Sequence, residues 1–289
     1  MDPLERLRAL RVLVSVEADG PLSEYTGRLT KTIVYAMARE LRLLHGVRGI
    51  VHPLHISPLF KPGPRENDLG TVASPMYTYD REGERWILES IELGGEYVFH
   101  VGGEAQVVGA VARGLEELRT PLMFRFADRN VKVKLENIWD ITGSVREKFG
   151  DGFSRVTIYF KAPTLISNVF APTRLPKFSP SAVEVLMAPY LLVRGGLSLT
   201  KDSLLSASLS LGWLVETWYT LRTLRPVMIP FKGKREAALM GKATYIYDPP
   251  RRGRRGVDEM VKNVLLTAEI AGVGESRANG FGTVVVGLH

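Results

Sequence analysis

The sequence predicts an α+β protein built of two consecutive βαββαβ units. Three observations predict it. Each half opens on a strand with alternating apolar residues, each half carries segments of helical periodicity between β-rich stretches, and a charged, glycine-bearing stretch, TGSVREKFGDG, falls between them. That element order is the ferredoxin-like, or RRM-like, arrangement. At 289 residues the chain is about twice a typical domain of ~150. The expected domains are therefore 1–143 and 152–289, alike in element order and not in sequence.

In the first half, RVLVSVEA alternates through Val12, Val14 and Val16, as a half-buried strand requires. A helix is expected from Glu24 to Leu44. Its residues Leu29, Ile33, Met37, Leu41 and Leu44 recur at three and four and form one apolar stripe. Arg28, Lys31, Tyr35 and Arg42 fall on the opposite face, basic with an aromatic set into it. HPLHISPLF, RWILESIEL and EYVFHV read as strands, Glu104 to Leu118 as a helix, and VKVKLENIWDI as the closing strand.

The second half begins on RVTIYFKAP, where Val156, Ile158 and Phe160 alternate. Helices are expected over Ser181 to Val193 and Lys201 to Leu221, then strands at RPVMIPF and AALMGKATYIY. A last helix from Val257 to Ala271 gathers Val257, Met260, Val261, Val264, Leu265 and Ala268 on one face, and GTVVVGL closes the chain as a strand.

Composition narrows the chemistry. With no cysteine, disulfides, thiolate metal sites and cysteine nucleophiles are excluded. A net charge of +7 suits a polyanionic partner. The N-terminal MDPLERLRAL is charged where a signal peptide needs an apolar core. The apolar run LLSASLSLGWLVETWYTL is broken by hydroxyl residues and by Glu216, so it reads as a buried helix rather than a membrane span. A cytoplasmic protein with no membrane partner is expected.

AGVGESRANGFGTVVV places Gly272, Gly274, Gly280 and Gly282 around Arg277. A dinucleotide fingerprint would follow a strand and open a helix. This stretch follows a helix, precedes a strand, and has Arg277 where a third glycine would stand. Gly272 reads as a helix C-cap. The others permit a close backbone approach, either to a phosphate chain with Arg277 as a fixed charge or to another part of the protein.

The spacing of these glycines, with a basic residue between two Gly-x-Gly pairs, resembles the C-terminal motif of the RAMP superfamily. More closely it resembles the CRISPR-associated repeat-processing endoribonucleases, the Cas-six family. VTIYFKAP, ALMGKATYIY and the element order extend the resemblance over most of the chain. It implies tandem ferredoxin-like domains, RNA over the cleft between them, and metal-independent cleavage of precursor CRISPR RNA within its repeats. A 2′-hydroxyl attacks the phosphate and leaves 2′,3′-cyclic phosphate and 5′-hydroxyl ends.

By that resemblance His45, in LLHGVRG at the end of the first helix, is the catalytic histidine, and Tyr35 joins it. The family's lysine beyond the histidine is missing, so Arg48 or Lys31 would supply the positive charge. Gly272, Gly274, Arg277, Gly280 and Gly282 would contact RNA, with Arg28 and Arg42 from the helix and Arg251, Arg252, Arg254 and Arg255 from the run RRGRR. Histidine suits acid and base roles because its pKa lies near working pH. His52 and His55 fall three apart in a predicted strand, on opposite faces, and read as strand residues rather than catalytic or chelating ones. His100 and His289 read as surface or core residues.

No metal or cofactor is called for. The expected partner is CRISPR repeat RNA, and the resemblance also admits CRISPR effector complex subunits and a homodimer. Two other readings compete: a non-catalytic RAMP subunit that only holds guide RNA, and a ferredoxin-like protein whose glycine loop is purely structural.

Overall fold

The structure, a computed structural model, describes residues 3–37, 52–63, 69–117, 120–150, 152–170, 181–196, 198–218, 220–249 and 254–289. The first half contributes β1 (Leu7–Ala18), α1 (Thr26–Met37), β2 (Leu54–Ile56), β3 (Phe60–Lys61), β4 (Thr71–Val72), β5 (Met76–Asp80), β6 (Arg85–Glu89), β7 (Gly94–Glu104), α2 (Ala105–Glu116), β8 (Leu122–Phe126), β9 (Arg129–Asp140) and α3 (Thr142–Glu147). The second half contributes β10 (Arg155–Thr164), α4 (Ala182–Val193), α5 (Lys201–Leu211), β11 (Leu214–Glu216), α6 (Thr220–Thr223), β12 (Leu224–Phe231), β13 (Lys234–Tyr247), α7 (Arg254–Ala271) and β14 (Val284–Leu288).

Two antiparallel sheets result. The first runs β4-β3-β7-β1-β9-β8, with β2 also on β7; the second runs β14-β10-β13-β12-β5-β6, with β11 also on β13. On β1, Leu10, Val12, Val14 and Val16 point to one face and are covered there by Leu29 and Ile33 of α1 and Val108, Val111 and Leu115 of α2. On β10, Val156, Ile158 and Phe160 meet Val261, Val264 and Leu265 of α7. Each such buried side chain contributes roughly 1.5–3 kcal/mol. In α4, ten consecutive residues from Ala182 to Leu191 are buried, and Ser181 and Glu184 close its N-terminus with a capping box.

The structure differs from the sequence reading in three places. The hairpin β5–β6, read as part of the first unit, attaches to the second sheet through Met228 and Tyr77. The stretch read as a linker forms α3, docked on β1 by a hydrogen bond from the Ile141 amide to the Ala9 carbonyl, 3.0 Å. The helix read as far as Leu221 stops at Leu211, and Leu214 to Glu216 pair with β13 instead. In that third case a sheet edge offers partners to amides beyond Gly212, and tertiary pairing outweighs helical propensity. No helix of the described residues is long and apolar enough to cross a membrane.

The halves meet over two apolar clusters. Phe60, Leu69 and Val98 touch Ala162, with Leu13, Val72 and Val285 around them. Tyr25, at the start of α1, packs with Ile229, Phe231 and Phe281 of the second half. Its ring lies 4.8 Å from that of Phe281, and its hydroxyl donates to the Gly280 carbonyl at 2.7 Å.

Candidate functional site

The glycine-rich loop follows α7 and lies inside the protein. Gly280, at φ +94, packs on Gly27 of α1 so closely that a Cβ would overlap the Gly27 Cα. Gly272, at φ +70, leaves a gap for the His55 ring; a Cβ there would stand 2.7 Å from Nδ1. Gly274 and Gly282 are buried too. The close approach expected of these glycines is thus made to other segments of this chain, and that space is filled.

Arg277 is corrected in the same way. Expected to meet RNA, it is 2% exposed. Its Nη1 donates to the Ala271 carbonyl at 2.6 Å and its Nη2 to the His52 carbonyl at 2.7 Å. The 3-10 turn Arg277–Asn279 folds the side chain back under the loop, where it satisfies a carbonyl left over at the end of α7. Burial lowers its pKa to about 10, still well above neutrality.

His55 completes this joint. Its Nδ1–H donates to the Arg277 carbonyl at 3.1 Å, and the Thr283 hydroxyl donates to Nε2 at 3.2 Å. Burial, with repulsion from Arg277, lowers its pKa to about 3, so the ring is neutral at pH 7. Arg277 and His55 therefore tie the second half to β2 and to His52, which precedes it.

Around this joint several polar groups converge. Lys31 Nζ donates to Asn279 Oδ1 at 3.0 Å and lies 5.3 Å from the centre of the Tyr35 ring. Its pKa is lowered by partial burial, then by the positive charges of Lys232 and Arg28. Arg28 pairs with Glu24 at 2.7 Å, which offsets part of that charge. Tyr35 is more buried than the face assigned to it implies, 8% exposed, and packs into the first core. Its hydroxyl stands 3.4 Å from His52 Nε2, at the long limit of a hydrogen bond. Burial raises the Tyr35 pKa and keeps the phenol protonated.

His52 was read as a strand residue away from any chemistry. It precedes β2, half-buried, with Nδ1 3.1 Å from both the amide nitrogen and the carbonyl oxygen of Leu54. The backbone can therefore hold either neutral tautomer, with Nε2 facing Tyr35. The sequence signal was only the proline after it, which favours an extended, non-helical residue.

The structure brings Lys31, Tyr35 and the glycine-rich loop together and keeps Arg28 at the edge of the group. His45, Arg48, Arg42, Arg251 and Arg252 lie outside the described residues. Arg254 opens α7, and Arg255 is exposed in its first turn, about 25 Å along the helix from the loop. Among the described residues no group of three or more His, Cys, Asp or Glu is placed to hold a metal ion.

No protein-family model matches the chain, and no curated protein matches it. Solved structures do. A product complex of a Cas6 protein from Thermus thermophilus superposes with a TM-score of 0.64 at 15% identity, covering 97% of this chain and 99% of that one. A product complex of another Cas6 protein gives 0.58 at 15% identity over 97% and 99%. A RAMP protein described as binding different RNA substrates gives 0.54 at 11% identity over 96% and 99%. The likeness is one of fold: two tandem ferredoxin-like units arranged as in Cas6 and RAMP proteins.

Proposed function

We infer that this Cas6-fold chain is a RAMP-superfamily RNA-processing protein, and that it cleaves precursor CRISPR RNA within its repeats without a metal ion. The observation that carries the reading is the meeting of Lys31, Tyr35 and His52 beside the Asn279 end of the glycine-rich loop. The Tyr35 hydroxyl stands 3.4 Å from His52 Nε2, and the Lys31 ammonium lies 5.3 Å from the centre of the Tyr35 ring and 3.0 Å from Asn279 Oδ1. Those are the group types that 2′-hydroxyl attack on a phosphodiester needs.

In the proposed step a base takes the 2′-hydroxyl proton, the O2′–P bond forms, the P–O5′ bond breaks, and an acid gives a proton to the departing 5′ oxygen. The products are a 2′,3′-cyclic phosphate and a 5′-hydroxyl. His52 Nε2 serves one proton transfer and His45 the other. Tyr35 orients the His52 ring. Lys31 offsets the charge that grows on the phosphoryl oxygens, with Arg48 as a second cation. A bound phosphate would raise the lowered pKa of Lys31 and hold it charged. A positioned acid or base contributes typically ~100 to 10,000-fold.

The test is cleavage of labelled repeat RNA in EDTA. His52→Ala and His45→Ala are each expected to slow single-turnover cleavage by at least ~100-fold with RNA affinity retained. Cleavage by both variants at the wild-type rate would overturn the site. Tight binding without any cleavage by the wild type would identify a RAMP subunit that only holds guide RNA.

A further inference from the structure

A pocket of about 370 Å³ lies beside α3, where the two halves meet. Arg11 alternates along β1 with Leu10 and Val12, which face α1 and α2, so its side chain leaves the opposite face of the first sheet and lines this pocket. His100 stands directly across from it on β7. Trp139 stands across on β9, and the Arg11 guanidinium lies 5.8 Å from the centre of its ring. The remaining walls come from Val145, Glu147 and Lys148 of α3 and its C-cap, Glu269 and Ile270 of α7, and Val285 of β14. None of these side chains belongs to the Lys31, Tyr35 and His52 group.

We propose that this pocket binds a small monocarboxylate with an apolar body, its two oxygens accepting hydrogen bonds from Arg11 and His100 and its body lying against Val145, Ile270 and Val285. Arg11 is 7% exposed, and a guanidinium carries five N–H donors, enough to serve a carboxylate and a second partner together. The His100 amide is held by Ser57 Oγ at 2.7 Å, while its half-buried ring is hydrogen-bonded to none of the described residues. Burial, then the positive charges of Arg11 and Lys148, lowers the ring's pKa to about 3, so at pH 7 it is neutral with one N–H to donate. Lys148 is taken up by Glu269 at 2.6 Å, and the second Glu269 oxygen accepts from the Val286 amide at 3.0 Å. With Glu147 also lining the pocket, a doubly charged ligand would meet two carboxylates, and a singly charged one suits Arg11 better. Mostly apolar walls with a few convergent polar groups, at this volume, are the pattern of a small-ligand site. Because β1 and β7 belong to the first half and α7 and β14 to the second, the ligand would tie the halves together. The assignment goes beyond the RNA-processing reading and does not rest on it.

The experiment titrates the full chain with sodium benzoate, sodium hexanoate, inorganic phosphate and uridine monophosphate in turn. Isotope-labelled histidine rings are followed by NMR, with His100→Gln to identify the His100 resonance, and thermal unfolding is recorded alongside. Benzoate should bind saturably with a dissociation constant below about 1 mM, within reach of so small a ligand. It should move the His100 resonance more than those of the other histidines and raise the unfolding midpoint as its concentration rises. Arg11→Met should weaken it by about 10- to 150-fold, the loss of hydrogen bonds to a charged group. Phosphate and uridine monophosphate should bind at least ~10-fold more weakly than benzoate. Since Arg11 is buried, the His100 shift in the wild type is the readout that needs no change at Arg11.

If neither carboxylate binds saturably up to about 10 mM, or if benzoate binds without moving the His100 resonance, the assignment is overturned. Equal benzoate affinity in the wild type and a folded Arg11→Met variant would overturn it as well. Tighter binding of phosphate or uridine monophosphate than of either carboxylate would overturn the carboxylate class.

Discussion

Arg277 and His55 bear most directly on how the site is held. Replacing Arg277 by Met leaves the Ala271 and His52 carbonyls without their donor, at roughly 1–3 kcal/mol each. Denaturant unfolding should show that loss. Because the guanidinium holds His52 and is shielded from solvent, cleavage of bound RNA should slow more than RNA affinity falls. His55 predicts a pH dependence. Its folded pKa, about 3, lies below the ordinary 6.5, so between those values the unfolded chain binds more protons and stability falls as pH drops. Between pH 7 and 4.5 the loss from this group should be about 2–3 kcal/mol, read by urea unfolding at both pH values. His55→Gln should flatten that dependence.

At the scale of elements, the contact between α1 and the glycine-rich loop depends on two glycines placed back to back. Gly280→Ala forces a Cβ into Gly27 and gives a non-glycine residue φ +94. Such a variant should be destabilised by several kcal/mol, and thermal unfolding would register it. The strands and helices carrying strict periodicity were legible from the sequence: β1, β10 and α7 lie where alternation and three-four spacing put them, and α4 falls within the helix expected over Ser181 to Val193. The second-sheet membership of β5–β6 was not, because Tyr77 and Trp86 alternate equally well in either sheet. Nor was the inward turn of Arg277, since nothing local distinguishes an arginine aimed at solvent from one caught under its own loop. His52 was missed because it becomes chemical only through Tyr35, 17 residues away.

For the whole molecule, the two sheets share more than a boundary. The Tyr25 and Phe60 clusters, the β5–β6 hairpin and the His55–Arg277 joint each draw on both halves. The two units should therefore unfold together, in one calorimetric transition; two separated transitions would contradict that coupling. The same joint places α1 and His52 from one half beside Asn279 from the other, so the proposed cleavage would depend on the halves being docked.

The most direct test is single-turnover cleavage of the source genome's repeat RNA in EDTA by the wild type, His52→Ala and Lys31→Ala. One cut by the wild type, with 2′,3′-cyclic phosphate and 5′-hydroxyl ends and at least ~100-fold slowing in His52→Ala, is expected. Wild-type rates in both variants, or cleavage only when a divalent metal is added, would contradict it.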